Sequence, residues 1–214
     1  METKSENDNY QLISYMTLRK LLGLLGIVLP FVLLAGAYLL DELNIIQPSI
    51  SHYYHTVMRD VLVIVVASFG LFLFTYKGEA KIDGVLSNIA GICAVCVALF
   101  PTNELGSCQE LTCYIHFIAA MSFFIILAYM SYFIFTLSNK EVKFQTPQKR
   151  KRNVVYKICS SVMFFCILIL AAYFLVFKKS NAWPESTVFI FEAIALIAFG
   201  ISWLTKGEAI FGDK

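Results

Sequence analysis

Three histidines, one arginine and two acids are the side chains here best suited to chemistry, and four of them crowd into SISHYYHTVMRD, Ser49 to Asp60. If this segment is one helix, His52, His55 and Arg59 share a face, because offsets of three and seven return to one side. Tyr53, Thr56 and Asp60 form the adjoining stripe. The pair His52-x-x-His55, with the distant His116 and a nearby acid, supplies ligand types for zinc or another divalent metal. A zinc ion with one open position activates water for hydrolysis. In that version Glu192 or Asp60 moves protons, and Arg59 holds a phosphate or carboxylate. Tyr53 and Asn103 add ligand-binding groups on the same side. A plainer reading uses the same residues. Histidines at a bilayer edge hydrogen-bond carbonyls or lipid headgroups, and Tyr53 and Tyr54 fit interfacial anchors. Arg59 and Asp60 fit a helix-end ion pair, and Glu192 an internal hydrogen bond to a neighbouring helix.

The elements that must position these residues are membrane spans. Hydrophobic residues make up 58% of the 214 and the mean hydropathy is +0.71, far above a soluble domain. A spanning helix needs about 20 mostly apolar residues. Six stretches qualify: 21–40, 58–76, 84–102, 111–137, 158–177 and 186–205. The second is short unless the histidine segment extends it as helix. Pro30 inside the first predicts a kink or a local loosening. The spans and short loops use up the chain, so residues 1–214 read as one all-α membrane bundle. The N-terminus is polar and of mixed charge, without the pattern of a cleaved signal, so the first apolar run is expected to stay as a span.

Lysine and arginine set the orientation. Arg19 and Lys20, Lys77 and Lys81, Lys140, Lys143 and the run Lys149–Arg152, and Lys206 all fall on one side of the map. Lys178 and Lys179 dissent. Both termini are therefore expected in the cytoplasm, with all three histidines outside. Glu192 then lies about 10 Å along the sixth span from its outer end, where an acid is costly and faces protein or water. Cys108 and Cys113 sit in the outer loop SCQELTC and are candidates for a local disulfide. Cys93, Cys96, Cys159 and Cys166 lie in apolar runs and read as packing residues.

Two echoes concern packing. The second span ends in FG…TYKGEA (Phe69 to Ala80) and the sixth in FG…LTKGEA (Phe199 to Ala209), as ordinary helix stops or as a trace of duplication. The pair Gly23/Gly26 and the small residues Gly91, Ala94 and Ala98 allow close helix packing or a homo-oligomer. Charge placement gives no nucleic-acid surface; the dense basic run adjoins a span and also suits anionic headgroups. The chain has no G-x-S-x-G, P-loop or H-E-x-x-H motif.

At SISHYYHTVMRD, ALFPT and FEAIALIAFGISWLTKGE the chain resembles six-span bacterial membrane proteins of domain-of-unknown-function type, loosely Frag/DRAM-like. The likeness runs from Ser49 to Glu208. It implies a six-helix bundle in a bacterial inner membrane, with no defined activity. A fainter likeness is to the membrane hydrolases that include alkaline ceramidases and progestin/adipoQ receptors. Those hold zinc with three histidines and an aspartate, which would implicate His52, His55, His116 and Asp60. They have a seventh helix and an H-x-x-x-H pair that this chain lacks.

Two functions follow as expectations. One is an outer-face polar pocket binding a metal, a lipid or a small ligand, up to a metal-dependent lipid hydrolase. The other is a non-enzymatic transporter, channel, sensor or assembly protein, with membrane lipids as partners.

Overall fold

A computed structural model describes residues 3–40, 46–78, 81–103, 110–138, 145–177 and 183–212. Among these there is helix and no strand. The helices are α1 (Thr3–Leu40), α2 (Arg59–Thr75), α3 (Lys81–Leu99), α4 (Leu111–Tyr129), α5 (Pro147–Ala172) and α6 (Thr187–Lys206). A short 3-10 segment, Ile50–His55, precedes α2. Wider π-turns continue α4 over Met130–Ile134 and α5 over Tyr173–Phe177.

The chain is an integral membrane protein. Five of its helices are long and apolar enough to cross a bilayer. The exception is α2, whose 17 residues reach about 25 Å at 1.5 Å per residue. The expected helical extension of α2 through the histidines is not made. Thr56 stops it: its hydroxyl donates to the Tyr53 carbonyl (2.9 Å) and accepts from the Met58 N–H (3.1 Å). A threonine that satisfies nearby backbone groups in this way competes with helix continuation. Helix α5, by contrast, begins eleven residues before the expected Ile158, at Pro147. Thr146 caps it by accepting from the Lys149 N–H, and proline takes the first position, where no donor is needed. The basic run Lys149–Arg152 is thus helical. Helix α1 also starts far upstream of residue 21 and runs unbroken through Pro30.

Each helix packs on its chain neighbours, and α6 closes the ring against α1. Two glycine seams set the tightest approaches. A Cβ on Gly200 would lie 2.5 Å from the Gly23 carbonyl oxygen, and one on Gly70 would lie 2.9 Å from that of Gly91. Side chains larger than hydrogen would force those backbones apart. The FG echo is used alike in both helices: the glycine meets a partner helix and the phenylalanine turns inward. Phe69, Phe199 and Phe123 meet at the centre, with ring centroids 5.6 to 6.4 Å apart. Toward the other end, Trp203 packs edge-on against Tyr76 and Phe135, and Tyr156 adds to the layer. These rings fill the axis on that side.

The bundle therefore has two unlike ends. At the basic end, cations cap carbonyls. Lys149 donates to the Phe135 and Leu137 carbonyls (2.9 and 2.8 Å), and Arg152 to that of Phe211 (2.8 Å). The Arg19 guanidinium stacks on Tyr15 and Tyr76, and Tyr15 bonds the Lys77 backbone. At the opposite end lie the histidines.

Candidate functional site

The 3-10 segment lies across the histidine end and is tied down at several points. Ser49 starts it by accepting from the His52 N–H (3.2 Å). The Pro48 carbonyl accepts from the Phe189 N–H (2.9 Å) in the first turn of α6, where a helix has donors to spare. Glu192, one turn deeper in α6, accepts from the Ile50 N–H (2.7 Å). His116, on α4, bonds the Ser51 hydroxyl (2.9 Å) and the Phe100 carbonyl (2.7 Å). His55 bonds the Thr102 carbonyl (2.7 Å). His52 bonds Ser49 through Nδ1 (2.7 Å).

Each imidazole thus has a distinct task. His116 ties the 3-10 segment to the end of α3, and its buried ring is 3% exposed. A carbonyl only accepts, so Nδ1 carries the hydrogen facing Phe100. In the neutral ring Nε2 is then the acceptor and the Ser51 hydroxyl donates to it. A ring with those two partners is satisfied without a charge. Phe100 directly follows α3, so His116 serves one of the carbonyls a helix leaves open at its end. His55 instead holds the Thr102 carbonyl, in the irregular stretch that follows α3.

Beneath the segment is a partly open cavity of about 60 Å³. One water needs about 10–15 Å³ of such volume, so the space suits about four waters or a short apolar group. Its wall is mainly apolar, with Leu62, Val66, Phe69, Ala98, Phe123 and Leu196 prominent. Four side chains bring polar atoms to it: Ser51, Tyr54, His116 and Glu192. The Phe69/Phe123 pair lines its inner end, and the aromatic layer follows below.

The sequence candidates divide accordingly. Glu192 and His116 meet at the cavity, through the 3-10 segment. Tyr53 does not reach it. That ring is fully buried against Phe189, at 5.9 Å. Its neighbour Tyr54 lines the cavity instead. Arg59 turns outward, donating to the Tyr54 hydroxyl (2.9 Å) with its guanidinium 4.5 Å from that ring. It anchors Tyr54, where an ion pair with Asp60 was expected. Asp60 is exposed in the first turn of α2, and Asn103 is half-buried; neither lines the cavity. His52, His55 and Arg59 do not form one helical face, since Thr56 intervenes. Among the described residues no three His, Cys, Asp or Glu side chains group to hold a metal.

Cys113, in the first turn of α4, is disulfide-bonded, while Cys93, Cys96, Cys159 and Cys166 are free. Cys108 lies outside the described residues.

Ser51 and the carbonyls of Phe100 and Thr102 do not stand out in the sequence, and Tyr54 stands out there only as an interfacial anchor. Ser51 and Tyr54 alternate with the more conspicuous histidines and Tyr53, and a 3-10 turn directs Ser51 and Tyr54, three apart, to one side. That regularity was the available signal. Backbone carbonyls leave none.

Compared with protein-family models, curated proteins and solved structures, the chain shows no match to any of them.

Proposed function

We propose that this membrane protein binds a small, mainly apolar ligand in the cavity under the 3-10 segment, which acts as its cap. The observation that carries the reading is the cavity itself: an apolar wall with a few convergent polar groups, Glu192 and His116 foremost, which is the usual make-up of a small-molecule site. An acid at that depth in a spanning helix is costly and calls for a use. The three imidazoles are spent on Ser49, Ser51 and two carbonyls, so the geometry lends its support to ligand binding more than to a zinc-activated water.

In this reading α2, lengthened by the capping segment, is a sixth crossing element, and both termini are cytoplasmic. Arg19, Lys77, Lys149, Arg152 and Lys206 gather at one end, as the positive-inside rule requires of the cytoplasmic side. The cap then faces outward, where a disulfide at Cys113 is chemically at home. The aromatic layer below the cavity makes a blind pocket, which favours binding over open conduction. A bacterial inner membrane is the setting the sequence resemblance implies.

Two measurements test this. Ala98→Phe fills the cavity wall, so saturable binding of butan-1-ol to protein in lipid nanodiscs is expected to fall at least tenfold. Unchanged binding would remove the cavity as the site. For orientation, a cysteine placed at His55 is expected to react with an impermeant maleimide from outside the cell, and one at Lys151 only after lysis. The reverse pattern would invert the topology.

A further inference from the structure

We infer that the ligand of this cavity is cationic: a small organic ammonium with an apolar body. The inference rests on the proposed binding site and adds the sign of its charge.

Among the described lining residues Glu192 is the only acid, and none is a lysine or arginine. Its one hydrogen bond is from the Ile50 N–H to Oε2. A carboxylate has about four acceptor positions, and a single amide serves one. The remaining capacity of this side chain, which lines the cavity, goes unused by the protein. The nearby imidazole does not supply the missing charge. The His116 ring is occupied at Nδ1 by the Phe100 carbonyl and at Nε2 by Ser51, and both bonds are made by the neutral form.

The other polar groups fit the same choice. The Ser51 hydroxyl spends its hydrogen on His116 and keeps lone pairs, so it accepts. Tyr54 accepts a hydrogen bond from Arg59, whose guanidinium lies 4.5 Å from the ring, and keeps its own hydroxyl hydrogen to donate. Apart from the Tyr54 hydroxyl, the polar groups left over at the site are therefore acceptors. An anion such as a fatty acid or phosphate would meet the carboxylate without a counter-charge. An ammonium would complete Glu192, with its short carbon chain against Leu62, Val66 and Phe123. The one guanidinium nearby, Arg59, points at Tyr54 from the exposed side and does not line the space.

The test compares three probes of one size on the full chain in nanodiscs of zwitterionic lipid: n-butylammonium, butan-1-ol and butanoate. The readout is the probe concentration that gives half the maximal rise in unfolding temperature, with behaviour in the absence of the cavity defined by Ala98→Phe. We expect butylammonium to act at a concentration at least tenfold lower than butanol, and butanoate to act most weakly. Glu192→Gln keeps an acceptor for Ile50 and removes the charge. It is expected to bring butylammonium to the butanol level while leaving butanol unchanged. Equal potency of butylammonium and butanol on the native protein would overturn the cationic assignment and leave the pocket standing. So would undiminished butylammonium potency in Glu192→Gln. Stabilisation by none of the probes, or by all of them equally in Ala98→Phe, would overturn the pocket as well. Should Glu192→Gln fail to fold, the order of the three probes on the native protein decides alone.

Discussion

Replacing Gly200 with valine is expected to lower stability by about 3 kcal/mol, the upper part of the usual overpacking range. A Cβ at this position would sit 2.5 Å from the Gly23 carbonyl oxygen and 2.9 Å from the Ile27 nitrogen. Both are backbone atoms of α1, so no rotamer change relieves the clash. The helices must separate, and the contacts along their seam go with them. Gly84→Ala is the control, because nothing lies within 4 Å of the added carbon there. In a helix that change should gain about 0.5 kcal/mol through the lost freedom of the unfolded chain. Unfolding in a graded series of denaturing detergent would measure both. A Gly200→Val protein as stable as the native one would show that the α1–α6 seam is not as tight as described.

The second large effect is expected from His116→Phe. The substitution keeps a ring of similar breadth and removes both hydrogen bonds. It strands the Phe100 carbonyl and the Ser51 hydroxyl where both are half-buried. A fully buried unsatisfied group costs about 1–3 kcal/mol; both of these are part-buried, so the pair should cost about 2–4 kcal/mol. The loss should be local as well as global: with its tie to α4 gone, the 3-10 segment should open more often. A cysteine in place of Ser49, buried in the native protein, would then react faster with a thiol reagent. His52→Phe is the useful contrast. Its ring bonds Ser49 within the same short turn, so the effect should be under half as large. If the two variants lose the same stability, His116 is not the tie between α3, α4 and the capping segment.

The sequence makes the bundle legible because lipid leaves a strong trace. Long uncharged runs such as Leu21–Leu40 have few other uses. It also locates Glu192 and His116 near one end, since an acid inside a span and a histidine at its start stand out by type. The failures have two causes. The first is local competition: Thr56 breaks the helix expected through the histidines, and a hydroxyl bonding its own neighbourhood does not show in a periodicity count. The second is invisible partners. His55 and His116 read as metal ligands by residue type, yet the atoms they face are carbonyl oxygens, which every residue has. The glycines fall between. Gly23 and Gly200 announce a close approach, but nothing in either segment says they meet each other. The start of α5 is written in the dipeptide Thr146-Pro147, a cap followed by a first-turn proline.

The seam between Gly23 and Gly200 also carries a consequence for biogenesis. Those two residues are joined in space but separated by nearly the whole polypeptide. As the ribosome feeds helices into the bilayer one at a time, the small-residue face of α1 waits in contact with lipid until α6 arrives. Mature assembly is therefore a late event, gated by the arrival of α6. Chains arrested before it would present an open groove to the membrane's quality-control proteases.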